Sequence, residues 1–237
     1  IYLVGHGQYG KFEISEWETL SAQEFDSWLD SAQNAIPDFV AVLYDACRSG
    51  SFLPDLQPPA GKTRVFAVSA GADENAIFMV DGSLSFGFQF FAELRNGADF
   101  HKSFIRGRES VEKAYDLEQN PRIEADWDVN GLEKKDLEIA SNIKVGLGKV
   151  IAGGIPRIQG VCAAQTLPEG VTEASVYAQN VEGEGITEVF AVIKPPDYIS
   201  GSPDDPVMDL PKIQLSPLGN RYQATYEGFT SAGIYNI

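Results

Sequence analysis

Cysteine and histidine are the residue types in this chain best suited to covalent chemistry, and two of them occupy matching places. Cys47 closes the stretch "VLYDACRSGSF", in which the strand-forming run Val42–Leu43–Tyr44 gives way to the turn residues of 48–51. His6 closes the run "IYLV" within "GHG". Both therefore stand at the carboxyl end of an apolar strand, where open α/β sheets place their reactive groups. A cysteine nucleophile needs a base that takes its proton and donors for the oxyanion formed when it attacks a carbonyl. The chain has two histidines, and His101 lies in the helical-looking "ADFHKSF", which leaves His6 as the base. If the two strands are neighbours in a parallel sheet, both side chains emerge at one edge. Gly7, without a side chain, lets its N–H approach a ligand closely, and the Cys47 amide is the other natural oxyanion donor. Taken singly, each feature has a plainer reading, a packed small residue for Cys47 and a turn for "GHG".

The elements that would position this pair are legible in the first two thirds of the chain. Ser21 and Glu24 form a capping box at the start of "LSAQEFDSWLDSAQ", flanked by Leu20 and Phe25 at the staple positions. Phe25, Trp28, Leu29 and Ala32 recur at helical spacing and predict one apolar face. The runs 39–44 and 64–70 are continuously apolar, as in parallel strands buried on both faces. "SFGFQFFAELRNG" predicts a helix stopped by Gly97, followed by a second from Asp99 to about Leu117. This alternation implies a parallel sheet covered by helices. From Ile155 onward the pattern changes to short β-like runs separated by Gly, Pro, Asp and Ser, suited to an antiparallel sandwich. The boundaries expected are 1–154 and 155–237, with an acidic transition at 116–138.

Composition excludes some partners. With 18 Lys+Arg against 34 Asp+Glu, a formal charge of −16, the surface repels phosphate backbones and argues against nucleic acid. No apolar run is long enough to span a membrane as a helix. If Cys47 is catalytic it must stay free, so Cys162, the other cysteine, is expected to be an isolated, buried small residue.

"YLVGHG" followed by "VLYDACRSGSF" resembles the legumain–caspase group of cysteine peptidases, clan CD. The caspase signature is Q-A-C-[RQG]-G with a histidine about 50 residues upstream. Here Asp45 replaces the glutamine and Ser49 separates Arg48 from Gly50, so the motif looks closer to the legumain-like family. "FAVSAGADENA" and "GSLSFGFQFF" resemble the next strand and a later Ser-Phe helix start, and the likeness spans about residues 1–115. The resemblance implies a caspase-like three-layer α/β/α domain with a mostly parallel sheet. It implies a cysteine endopeptidase with Cys47 as nucleophile, His6 as general base and acid, and the Gly7 and Cys47 amides as oxyanion donors. The tail looks like an immunoglobulin-like all-β module appended to bacterial secreted proteins, which implies an extracellular, periplasmic or cell-surface setting. Transamidation by the same dyad and a catalytically silent binding protein are the alternatives. A glutaminase ranks last because no glycine precedes the nucleophile in its elbow.

Further residues are candidates for substrate or metal. Asp45 lies two residues before Cys47 on the same strand face, so it either lines the pocket or hydrogen-bonds nearby backbone. Ser69 and Asp73, with Glu74, follow the next strand, and Asp81 precedes the "GSLSF" helix start on a probable pocket rim. A carboxylate among Asp45, Asp73 and Asp81 would favour a basic residue before the scissile bond; the resemblance favours Asn or Asp. "DWDVNG" matches the start of a calcium loop through Asp126, Asp128 and Asn130, with Asp136 or Glu138 flanking the twelfth position. Catalysis needs no cofactor, so calcium there would be structural; the plainer reading is an acidic turn. The partners expected are a peptide or protein substrate. Both ends fall inside β-like runs, "IYLV" and "SAGIYNI", from which a fragment is expected, incomplete at both ends, with a sheet edge that is either exposed or filled by another copy or by a missing N-terminal segment.

Overall fold

The computed structural model describes residues 1–36, 39–79, 82, 84–114, 119–128, 133–145, 156–183, 186–199, 207–208 and 210–237. It is mixed α/β and divides into two compact units, 1–150 with 201–208, and 151–200 with 209–237. The second boundary thus differs from the sequence expectation of 155–237. Val207–Met208 lie with the first unit, where they pair with Phe78–Met79.

A four-stranded sheet forms the centre of the first unit: β1 (Tyr2–Val4), β5 (Val40–Asp45), β6 (Arg64–Val68) and β8 (Arg122–Glu124), in that spatial order. β1, β5 and β6 are parallel and β8 runs antiparallel at the far edge. Every residue of β6 is buried, as is all of β5 but Ala41, which accounts for their unbroken apolar runs. On one face α1 (Ala22–Ala35) packs Phe25 and Leu29 onto Val42, Tyr44, Phe66 and Val68. On the other, α2 (Phe86–Arg95), α3 (Phe100–Ala114) and α4 (Glu133–Ala140) bury Phe86, Phe90, Phe104 and Ala140 against Leu43, Val65 and Ala67. β1 is an edge strand, and its Tyr2 and Val4 are exposed, so the sheet has an open edge among the described residues.

Between β1 and α1 lies a feature the sequence reading missed. β2 (Gly7–Gln8), β3 (Lys11–Ser15) and β4 (Glu18–Ser21) form a three-stranded antiparallel sheet. Gly10, at φ 67°, makes the two-residue turn between β2 and β3 that side-chain-bearing residues resist.

The capping box is present as expected: the Ser21 hydroxyl accepts from the Glu24 N–H, and Glu24 accepts from the Ser21 N–H. The apolar stripe of α1 is corrected, however. Trp28 and Ala32 are exposed, and the buried line runs Ala22, Phe25, Leu29, Gln33. Gln33 takes the inner position because its amide donates to the Thr63 carbonyl (2.9 Å) and accepts from Arg64 Nε (2.8 Å). Arg64, fully buried at the start of β6, also reaches Asp26 (2.6 Å), Asp30 (2.7 Å) and the Leu56 carbonyl (2.9 Å). It ties the helix to the strand with a satisfied charge.

The second unit is built from antiparallel sheets. β9 (Arg157–Val161), β10 (Ala174–Glu182), β14 (Ser216–Leu218) and β15 (Arg221–Tyr226) form one, in the order β14-β15-β10-β9. β11 (Phe190–Val192) and β13 (Lys212–Gln214) form a second. Val176 and Ala178 of the first share a core with Ala191 and Ile213 of the second. The pairing of β7 (Phe78–Met79) with β12 (Val207–Met208) completes the first unit. Cys162 is half-buried rather than buried, and both cysteines are free. Among the described residues no helix is long and apolar enough to cross a membrane.

Removing one partner of a buried ion pair strands the other groups. Arg64→Ala should therefore cost about 3 kcal/mol or more in urea denaturation. Asp30→Asn, at the more exposed end of the network, should cost about 1 kcal/mol or less. Equal losses would show that Arg64 is not the tie between α1 and β6.

Candidate active site

The register of β1 against β5 sets the site. Val4 lies opposite Asp45 in the parallel pair, so continuing each chain by two residues brings His6 and Cys47 to the same sheet edge. The Gly5 N–H donates to the Asp45 carbonyl (3.3 Å) and extends the alignment past the strand end. Gly7 then lies directly on the nucleophile's backbone. A Cβ at this position would collide with the Cys47 carbonyl oxygen and would crowd the Ala46 methyl and the Tyr44 hydroxyl, each at 3.1 Å. The His6 carbonyl accepts from the Glu13 N–H (3.0 Å), which anchors the histidine's backbone to β3. Because antiparallel bonding alternates, this leaves the Gly7 N–H unused by the β2–β3 ladder. His6 is exposed, and His101 sits in the first turn of α3.

The turn at Cys47 is held from the other side by the loop after β6. Arg48, at φ 57°, reverses the chain in the left-handed region, and its N–H donates to the Glu74 carbonyl (2.7 Å). The Gly50 N–H donates to the Ala70 carbonyl (2.9 Å), and Ser49 Oγ accepts from the Ala70 N–H (3.1 Å). Cys47 itself is fully buried, with Sγ 3.8 Å from the Ala76 carbonyl. Burial pushes its thiol up from the ordinary value, only partly opposed by the Ala76 contact, its own backbone amide and the Arg48 charge. The resting group is the thiol, so thiolate requires a base.

Asp45 is 1% exposed, and its Oδ2 accepts from the Gly87 N–H in the first turn of α2 (2.8 Å). Of the two roles open to it in sequence, backbone bonding is the one the geometry displays. Burial raises its carboxyl to about 6, against the opposing hydrogen bonds from Ser69 and Gly87. Ser69 is also fully buried; its hydroxyl accepts from the Ala46 N–H (3.2 Å), and its carbonyl accepts from Gln119 (2.8 Å). Both are buried, as is Cys47 itself. Asp73 is exposed on the loop that clasps the nucleophile's turn, next to Glu74. The Glu74 carboxylate is spent on that loop, accepting from the Gly71 N–H and from the Asn120 backbone and side-chain amides, each at 2.7 Å. Asp81 lies outside the described residues.

Sequence reasoning missed Ala76 and Gln119. The first acts through a backbone carbonyl, and the second joins Ser69 to the Ile77 N–H (3.1 Å) across a long loop. No local pattern announces either.

The acidic stretch draws together a partly different set of carboxylates. Asp126 and Asp136 converge with Glu124, within 4.8 Å of one another. Asp136 is buried and accepts the N–H groups of Ala125 (2.7 Å) and Asp126 (3.0 Å), while the Asp128 N–H bonds back to Asp126 (3.2 Å). Asn130 lies outside the described residues, and Glu138 is exposed. Glu124, at the end of β8, is the member not anticipated, because it precedes the loop motif. Lys135 Nζ lies 2.8 Å from Asp126 and holds that carboxyl below its usual range. Burial, then Asp136, Asp126 and Asp128, push Glu124 up to about 7. This oxygen-rich set could hold a hard cation such as calcium.

Two outcomes follow from these contacts. Gly7→Ala should cost about 1–3 kcal/mol through overpacking and slow the covalent labelling of Cys47, read by denaturation and by mass spectrometry. Unchanged labelling would mean that the Gly7 contact does not position the pair. The Glu124 shift has a definite sign: its folded value lies above the ordinary 4.5, so its stabilising share is complete below that pH and is lost as pH rises through about 7. Glu124→Gln should flatten this decline in melting temperature. Millimolar calcium should raise the wild-type melting temperature more at pH 8 than at pH 5, and an equal rise in Glu124→Gln/Asp136→Asn would place calcium elsewhere.

Comparison with known proteins finds no family model that matches the chain and no matching curated protein.

Proposed function

We propose that the chain is a cysteine peptidase that hydrolyses peptide bonds through Cys47 and His6, on a caspase-like first unit followed by an immunoglobulin-like β module. The observation that carries this reading is the contact of Gly7 with the Cys47 carbonyl, which brings the only histidine at a strand end beside a cysteine at the end of the neighbouring strand.

In this reading His6 takes the Cys47 proton as sulfur attacks the scissile carbonyl carbon, forming the S–C bond. The negative charge passes to the carbonyl oxygen, where the Gly7 and Cys47 amides donate. Collapse breaks the C–N bond, and the His6 proton leaves with the amine. Water, deprotonated by His6, then attacks the thioester and restores the thiol. The acidic cluster takes no part in these steps, and a cation there would support the fold.

The test compares two electrophiles on the native protein and on Cys47→Ala and His6→Ala. A peptidyl acyloxymethyl ketone should label Cys47 selectively, and loss of His6 should slow that labelling by about a hundredfold or more. Iodoacetamide, which needs no bound peptide, should favour the half-buried Cys162 over the buried Cys47. Peptidyl labelling that persists at its native rate in His6→Ala would sink the dyad.

A further inference from the structure

Arg48, the residue that follows Cys47, is a cation left without an anion. Its Nε is buried with no hydrogen-bond partner, and among the described residues its guanidinium makes no ion pair. The residue as a whole is half-buried, so part of the guanidinium is open to solvent. Elsewhere in the first unit Arg64, Arg106 and Arg108 each lie against a carboxylate. Acidic residues outnumber basic ones by 34 to 18, so partners are not scarce.

The two carboxylates tied to the same turn are both turned elsewhere. Asp45 gives its Oδ2 to the Gly87 N–H (2.8 Å). Glu74, whose main-chain carbonyl accepts the Arg48 N–H (2.7 Å), spends its carboxylate on Gly71 and Asn120. The backbone adds a second, independent sign. Arg48 has φ 57°, a left-handed conformation that suits glycine or asparagine and costs energy for a long side chain. The turn is pinned there, because the Arg48 carbonyl accepts from both the Ser51 N–H (2.9 Å) and the Ser51 hydroxyl (2.6 Å). Strain of this kind collects at ligand sites, where the surrounding structure maintains it. A buried donor without an acceptor is likewise costly until a ligand supplies one. The Arg48 charge also acts on the Cys47 thiol, opposing the upward push of burial, so cation and thiol share one locality.

We propose that Arg48 is the receptor for a carboxylate of the substrate, carried by an acidic side chain beside the scissile bond or by a free C-terminus just beyond it. A carboxylate matches the donor fork of a guanidinium and neutralises the charge that the fold leaves open. This inference rests on the peptidase reading above and adds its substrate class. The preference is the reverse of the basic one expected from a carboxylate in the pocket.

The first measurement needs no peptide. Iodoacetate and iodoacetamide attack with the same thiolate and have nearly the same shape, but only iodoacetate carries a carboxylate. The ratio of their rates at Cys47 therefore cancels the acidity of the thiol. Cys47 is buried and reacts slowly with both, so the rates are read by mass spectrometry on the full-length chain, with Cys162 as the internal reference. The iodoacetate-to-iodoacetamide ratio at Cys47 should exceed that at Cys162 about tenfold, as one charge-assisted hydrogen bond allows. It should fall to the Cys162 level in Arg48→Gln, survive in Arg48→Lys, and shrink for the native chain in about 1 M salt, a reading that needs no variant. The second measurement compares quenched peptides in pairs: Asp against Asn at each position flanking the scissile bond, and a free acid against an amide at the C-terminus. The pair with about a tenfold difference in kcat/KM that Arg48→Gln abolishes identifies the source of the carboxylate. Equal iodoacetate ratios in the native chain and Arg48→Gln, or native turnover that separates no pair, would overturn the proposal and leave the peptidase reading standing. A ratio that depends on Arg48, with no turnover of any peptide and no labelling by the peptidyl ketone, would overturn the peptidase reading and leave the carboxylate site.

Discussion

No atom larger than hydrogen fits between the α-carbon of residue 7 and the Cys47 carbonyl, and the site depends on that constraint. The parallel register of β1 and β5 carries the two chains to the same edge. Register alone would leave the residues beyond each strand free to diverge, since neither His6 nor Cys47 lies within a ladder. The missing side chain at Gly7 lets the turn after β1 collapse onto the nucleophile's peptide unit. Tyr44 reinforces it, fully buried beneath the contact with its ring edge-on to Phe12 and Phe52. Backbone packing thus holds the chain after β1 against the chain after β5.

The two halves of the site are held with unequal firmness. Cys47 is bracketed by residues whose polar groups are committed inward: Ala46 to Ser69, Arg48 to Glu74, Ser49 and Gly50 to Ala70. Asp45 adds a bond to the start of α2, so β5, the loop after β6 and a helix terminus share one network. The Glu74 carboxylate is committed to this network, Asp45 leaves its Oδ1 buried without a partner, and Asp73 is exposed. His6 has far less around it, a backbone bond to β3 and a solvent-exposed side chain. In the proposed dyad, a fixed nucleophile and an adjustable base would divide the task, because attack demands a defined trajectory while proton transfer tolerates small movements of the ring.

What the sequence disclosed tracks how local each cause is. The buried strands 40–45 and 64–68, the capping box at Ser21 and the Gly97 stop were readable because each depends on residues a few positions apart. That Cys47 and His6 follow neighbouring strands was readable because strand ends are. The β2–β3–β4 sheet leaves a weak trace, because the alternation of Lys11–Phe12–Glu13–Ile14 is too short to stand out as a strand. Trp28 was assigned inward on size and spacing, yet Gln33 has the buried place because Arg64 needs a neutral acceptor there. Long-range polar demand of that kind leaves no periodic trace. Glu124 escaped for a similar reason: it reaches the acidic cluster through the pairing of β8 with β6, outside the loop whose pattern suggested a cation site.

The same distinction explains the placement of charge. Arg64 and the acidic cluster are both polar features at the heart of the first unit, but they are balanced differently. Arg64 meets two carboxylates, an amide and a carbonyl, so its charge is compensated and its hydrogen bonds are largely satisfied where the fold most needs a rigid join. Around Glu124, three neighbouring carboxyls face one lysine, and the excess is relieved by holding a proton on Glu124 up to about pH 7. A region that must retain a proton to remain comfortable is responsive to pH and to cations, whereas a satisfied arginine is not. Compensated charge thus stands at the entry to β6, while carboxyls raised by burial stand at two places, Glu124 at the end of β8 and Asp45 at the end of β5.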